Sequence, residues 1–350
     1  MKKFMKLGAV SALSLMVGAS AAFAENIKIA FIDPLSGPFA STGTNGSHQF
    51  EFAADYMVNQ KGGVLGGTEF EVVSFDNKMS PKESLIQLQV AIDQGIRYIA
   101  QGNSSGVANA ITEAIAKHNK RNPDDRVLFL NYAAVDPALT NDKCNFWHFR
   151  FDANADIKMD ALTDVMAADE SMKKVYIIGQ DYSFGKAVAA AAVKNLGEKR
   201  PDIEIVGNEL HPIGKVKDFT PYARKIVASG ADAVITGNWG ADMLGIGKSI
   251  IENGFSGPIY TYYAAGSGIT ASFGEAGKGR IRLISQGGIN PIATPEARAT
   301  YEAFKAKYPD GNIDQSRIFN VIGMLSTAIE AAGSATDVVA VAKQLEGMEY

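Results

Sequence analysis

The chain has few of the residues that most often carry covalent, redox or metal chemistry. It holds one cysteine, Cys144, and four histidines, His48, His118, His148 and His211. A single thiol excludes an intrachain disulfide, so the fold must be held by its core; Cys144 is expected as a partly buried thiol after a turn. There is no paired Cys/His set, no H-E-x-x-H and no G-x-G-x-x-G, so neither a metal nor a cofactor is expected. Gly245-Ile246-Gly247-Lys248-Ser249 resembles the end of a phosphate-binding loop, but Asp242 stands where its leading glycine belongs, and the segment reads as a helix surface. Basic excess is absent too. With 34 Lys and Arg against 38 Asp and Glu, the net charge is −4, which argues against a nucleic-acid partner. Low-complexity linkers and short-period repeats are lacking.

What is present starts at the N-terminus. Lys2, Lys3 and Lys6 precede the apolar stretch Leu7 to Gly18, and Ala22-Phe23-Ala24 forms a small-x-small cleavage pattern. Residues 1–24 therefore read as a secretory signal peptide cleaved from an exported protein. The apolar stretch is too short to span a bilayer once cut. Removing it also removes three positive charges, leaving a more acidic protein. At 46% apolar and 21% charged residues, the remainder is ordinary globular sequence, long enough for two lobes.

Apolar strand-like runs alternate with helical patterns from Ile27 onward. Ile27 to Ile32, Phe70 to Phe75, Arg97 to Ala100 and Val127 to Asn131 read as strands. Helix-length stretches lie near Thr44 to Gln60, Ser80 to Gln94 and Val107 to Lys120. This is the βαβ order of a parallel sheet covered on both faces. After the loop Asp136 to Asn145 a second series follows, with strands at Val175 to Gly179, Ile203 to Asn208, Ala233 to Gly237 and Ile259 to Tyr263. One of its helices has Thr220 as the expected N-cap, Pro221 at the first position and Gly230 at the end. Tyr222, Ala223, Ile226 and Val227 form its expected buried face.

The tail is helical at Pro295 to Lys307, Ser316 to Ala332 and Thr336 to Glu346. Having no strands of its own, it is expected to pack on the first sheet. The fold expected is α/β, with two Rossmann-like doubly wound lobes joined by a multi-strand hinge. Residues 25–148 plus 288–350 would form lobe I and 149–287 lobe II. Crossings are expected near Asn145 to Phe149 and Ser285 to Pro291, with a ligand cleft between the lobes.

Gly102-Asn103-Ser104-Ser105-Gly106 lies between a strand and a helix and matches the G-x-S-x-G nucleophile elbow. An exported serine esterase using Ser104 is one reading of it. A plain turn is another, and a helix N-terminus that binds an anion through free N–H groups and hydroxyls is the third and favoured one. Tyr132, Tyr182, Phe184, Trp239, Tyr262 and Tyr263 all fall at strand ends, where open α/β sheets border a ligand crevice.

Taken in order, Leu35-Ser36-Gly37-Pro38-Phe39-Ala40, Asn59 to Gly63, Asp76, Gly102 to Gly106, Pro137 to Thr140, Asp181 to Gly185 and Asp218-Phe219 resemble the periplasmic leucine/isoleucine/valine-binding proteins of ABC transporters. The similarity spans the mature chain. It implies a type I binding protein, a two-lobed flytrap with no catalytic activity. Such a protein takes a hydrophobic amino acid or related small carboxylate and delivers it to a membrane permease served by a separate ATPase. The resemblance also implies a monomer.

By position, it implies that Asn103, Ser104 and Ser105 hold the ligand carboxylate. Ala133, Ala134 and Val135 match the family's segment that meets the ligand's amino group, while Tyr182, Phe184, Trp239 and Tyr263 would close from the second lobe. Thr42 matches a pocket tyrosine of the family. Four departures stand out. Val135 replaces a threonine, Tyr263 replaces a glutamate that meets an ammonium group, and Met79 and Asn103 occupy the family's disulfide positions. The chain also ends at Tyr350, where relatives continue into further strands and a third crossing. The first two departures make an aromatic or hydrophobic carboxylate without an amino group an alternative ligand. Asp33, Asp136 and Asp181 are the candidates for a replacement acid.

Overall fold

The structure, a computed structural model, describes residues 25–266, 268–285 and 294–350. The signal-peptide reading of residues 1–24, and the second crossing beyond Ser285, lie outside the described residues. Among the described residues, ten strands form two five-stranded parallel sheets. The first holds β1 (Ile27–Asp33), β2 (Phe70–Asp76), β3 (Tyr98–Gln101), β4 (Leu128–Asn131) and β5 (His148–Arg150), in the order β2-β1-β3-β4-β5. The second holds β6 (Lys174–Gln180), β7 (Glu204–His211), β8 (Ala233–Thr236), β9 (Ile259–Thr261) and β10 (Ile281–Leu283), in the order β7-β6-β8-β9-β10. The two orders are the same pattern, so the chain builds one topology twice.

The central strands are apolar on both faces because helices cover both. β3, β4 and β8 are buried along their whole length, as parallel strands under two helical layers must be. Helices α1 (Ala40–Met57), α2 (Pro81–Asp93) and α3 (Ser105–Arg121) belong to the first sheet. Helices α4 (Ala155–Ala167), α5 (Ser183–Lys199), α6 (Thr220–Ala228), α7 (Gly240–Glu252) and the short α8 (Ile269–Ser272) belong to the second.

Side-chain caps start several of them. Ser80 accepts from the Glu83 amide at 3.3 Å, with Pro81 in the first turn, and Asn154 accepts from the Ile157 amide at 2.9 Å. In the tail, α9 (Pro295–Lys307), α10 (Arg317–Ala332) and α11 (Val338–Leu345) follow. Ile318, Val321, Ile322, Leu325, Ile329 and Val341 join the core under β1, β3 and β4, so the tail returns to the first sheet.

Several local expectations need correction. β5 and β10 were not expected as strands; each is three residues long, too short to show a period. Thr220 is the first residue of α6 rather than its cap, and its amide is held by the Asp218 carboxylate at 2.9 Å. Val227 is 39% exposed, so the buried face of α6 is Ala223 and Ile226. Cys144 is exposed, not partly buried. Gly245 to Ser249 lies inside α7, but Ile246, Gly247 and Ser249 are buried, because the Phe273 ring packs where a side chain on Gly247 would stand.

Two glycines show the duplication at atomic scale. A Cβ on Gly43 of α1 would overlap the Pro34 carbonyl oxygen just after β1, and one on Gly185 of α5 would overlap the Gln180 carbonyl oxygen at the end of β6. Both helices touch their own strand-to-helix turn at the position that permits no side chain. Gly43→Ala and Gly185→Ala are each expected to cost about 1–3 kcal/mol of stability by thermal melting. Gly197→Ala, with nothing within 4 Å of its Cβ, should gain up to about 1 kcal/mol from helix propensity. Equal melting temperatures for all three would refute this account of the packing.

Candidate functional site

The loops that follow β1, β3, β4, β6, β8 and β9 converge on one cleft between the sheets, the place where doubly wound sheets hold ligands. A cavity of about 790 Å³, its open mouth included, lies there. Its wall contains Thr42, Asn103, Ser104, Ser105, Ala133, Ala134, Val135, Tyr182, Phe184, Trp239 and Tyr263, the residues that the family resemblance places around a ligand. Tyr262 joins them in the wall. Tyr132 does not; it stands behind, fully buried.

One pole of the cavity is the turn from β3 into α3. Ser104 adopts φ 102° and ψ 109°, a conformation that L-residues rarely take and that costs about 1–3 kcal/mol. It is held there from below. The buried Asp33 carboxyl, at the end of β1, accepts from the amides of Gly102 and Asn103, both at 3.0 Å, and from the Tyr132 hydroxyl at 2.6 Å. Gly102 has no room for a side chain, since its Cβ would stand 2.8 Å from Ala133 and Tyr132. The strained turn aims the start of α3 at the cavity. The first helical bond runs from the Ala108 amide to the Ser104 carbonyl at 3.0 Å. The amides of Ser105 and Gly106 precede it and have no carbonyl within the helix to meet. This is an anion-ready helix N-terminus.

Rings from the second lobe form the facing wall. Trp239, at the start of α7, donates its indole N–H to the Tyr182 hydroxyl at 2.9 Å and packs on Phe39 of the first lobe at 4.4 Å between centroids. Phe184 meets Tyr182 and Tyr263 edge-on or tilted, each at 5.9 Å. Because Phe39 and Val135 sit in the second lobe's core cluster, the two halves are in contact here.

The other polar pole was missed in the sequence. Lys158 on α4, and Arg317 and Gln315 at the start of α10, line the cavity beside Asp314. Lys158 donates to the buried Asp152 carboxylate at 2.9 Å and to the Tyr263 hydroxyl at 3.3 Å. Arg317 approaches the same carboxylate at 3.2 Å. Burial pulls the Lys158 ammonium down to about 8, opposed by Asp152. A signal was available. Lys158 shares the buried face of α4 with Ala155, Met159 and Leu162, and Arg317 shares that of α10 with Ile318 and Val321. A cation inside an apolar stripe needs a buried partner.

The three acids proposed as replacements are otherwise engaged. Asp33 is spent on the turn, Asp136 accepts from the Ala138 amide at 3.0 Å, and Asp181 pairs with Lys186 at 3.2 Å on the surface. Asp314 is the acid in the cavity wall. No histidine accompanies Ser104. His118 is tied to the Asp125 carbonyl, His148 to Asn131 and His211 to Asn238, while His48 stacks on Tyr308. The Ser104 hydroxyl oxygen instead accepts from the Val107 amide at 3.4 Å. None of the four histidines is placed to take the Ser104 proton.

Two measurements check this picture. Asp33→Ala leaves two amides and a hydroxyl unpaired in the interior and is expected to cost at least about 2 kcal/mol. Desolvation pushes Asp33 up to about 7 and Asp314 up to about 6 from 3.8. A raised acid binds its proton more tightly when folded, so its contribution is complete below the unfolded value and fades as pH climbs to the folded one. Asp314→Asn should therefore flatten the fall in melting temperature between about pH 4 and pH 6. An unchanged slope would contradict the assignment.

The chain matches the periplasmic binding protein family over residues 26–350. It is 35% identical over 305 residues to the Leu/Ile/Val-binding protein homolog 4 of Brucella abortus, covering 86% of this chain and 71% of that one. Among solved structures, the closed conformation of the leucine-, isoleucine-, valine-, threonine- and alanine-binding protein of Brucella ovis superposes with a TM-score of 0.75 at 31% identity, over 91% of this chain and 82% of the other. A solute-binding protein of an R. palustris ABC transporter, in complex with benzoate, shares the fold with a TM-score of 0.81 at 17% identity, over 93% and 86%. With two parallel-sheet lobes and a cleft between them, the chain belongs to the type I periplasmic binding proteins.

Proposed function

We propose that this chain is the solute-binding component of an ABC importer, working in the periplasm. It takes a small carboxylate with an apolar or aromatic body and presents it to a membrane permease driven by a separate ATPase. The observation that carries the reading is the Ser104 turn, strained at φ 102° and opening the first amides of α3 into a cavity walled by rings. A carboxylate seated there receives charge-assisted hydrogen bonds worth about 1.5–3 kcal/mol each. Phe184, Trp239, Tyr262 and Tyr263 then cover the solute's apolar part. The Brucella relatives named for leucine, isoleucine and valine support a carboxylate ligand, and the benzoate-bound neighbour supports room for a ring. No helix among the described residues is long and apolar enough to cross a membrane.

Closure follows from contacts made on both lobes, which bias a pre-existing open-to-closed balance. Calorimetry with leucine, valine, benzoate and a hydroxycinnamate tests the class. At least one is expected to bind with micromolar affinity, about −8 kcal/mol. Ser104→Ala should weaken that binding about tenfold or more by removing the hydroxyl and its hold on the turn. If no acid binds, or if Ser104→Ala binds as tightly as the parent, the reading fails.

A further inference from the structure

The polar groups at the two ends of the cavity have the same sense. The Ser104 turn presents N–H donors, and the opposite pole is also built to donate. Lys158 directs its ammonium at the Tyr263 oxygen from 3.3 Å while its charge lies over the same ring at 4.9 Å. A hydroxyl that accepts from an ammonium turns its own proton away, and Tyr263 lines the cavity. Arg317 adds a second cation to that wall, and one buried carboxylate, Asp152, serves both cations. Asp314 is the acid in reach, and its Oδ1 already receives Asn45 at 2.8 Å and Gln49 at 2.9 Å. A solute with its own ammonium group would bring a third cation into this wall.

Resting on the carboxylate reading above, we infer that the solute carries no amino group and bears a second oxygen acceptor, an oxo or hydroxyl group, which the Tyr263 hydroxyl meets with Lys158 behind it. Oxo or hydroxy acids with an aliphatic or aromatic body are the class. Their carboxylate occupies the Ser104 turn, and their second oxygen fills the donor pole.

The test is a calorimetric comparison of solutes sharing one skeleton. The first set is 4-methylpentanoate, 4-methyl-2-oxopentanoate and leucine. The second is 3-phenylpropionate, phenylpyruvate, 3-(4-hydroxyphenyl)propionate and phenylalanine. In at least one set an oxygen-bearing acid is expected to bind about tenfold tighter than the plain acid, with the amino acid weakest. Tyr263→Phe should bring the ratio of oxygen-bearing to plain acid close to one.

Two results overturn the inference while leaving the carboxylate site standing. Plain acids could bind as tightly as their oxygen-bearing partners in both sets, or leucine or phenylalanine could bind tightest. Silence from every compound removes the carboxylate site itself, and the inference with it.

Discussion

Everything at this site depends on the Asp33 carboxyl. By gathering the amides of Gly102 and Asn103 and the hydroxyl of Tyr132, it joins the ends of β1, β3 and β4 at one buried point. Those three strands are neighbours in the first sheet, so the rigid part of the fold sets the position of the carboxyl. The carboxyl in turn sets the backbone from which Ser104 departs at positive φ. Strain of this kind persists only where surroundings over-determine it. Here it turns the beginning of α3 toward the cleft instead of letting the chain relax into an ordinary turn. Binding groups held this way lose little entropy when a solute arrives.

A second constraint acts between the halves. Asp152 lies just past β5, where the chain leaves the first sheet for α4, and it is shared by Lys158 of α4 and Arg317 of α10. The cations thus come from opposite lobes, while their common partner sits in the connecting segment. Taking three charges out of water costs several kcal/mol per ion, and only good geometry offsets that. The cluster therefore rewards one relative placement of α4 and α10 far more than any other. Contact between Phe39 and Trp239 adds an apolar link on the far side of the cleft. Solute binding adds to these links without having to create them.

The sequence was most legible where periodicity and turn chemistry agree. The strands around Ile27, Phe70, Val175 and Ala233 are found close to where their apolar runs place them. The residues that line the cavity were legible because serines and rings stand at strand ends, where open α/β sheets border a crevice. β5 and β10 escaped because three residues carry no period, and their pairing comes from neighbours distant in sequence. The Thr220 cap was misplaced by one residue: Phe219 stands at the cap, and the Asp218 carboxylate accepts from the Thr220 amide. Lys158 and Arg317 escaped for a subtler reason. A cation on an apolar face is explained only by its partner, and Asp152 joins Arg317 through the tertiary fold alone. The acid in the cavity wall, Asp314, lies between two tail helices, in a segment whose place in the cavity comes from the tertiary fold.

The most direct measurement is a crystal structure of the protein grown with a small carboxylate that it binds. The account expects the carboxylate oxygens within hydrogen-bond range, about 2.7–3.2 Å, of the Ser105 and Gly106 amides, with the Trp239 and Tyr263 rings closed over the apolar body. A carboxylate seated instead on Lys158 and Arg317, with the Ser104 turn holding only water, would contradict it.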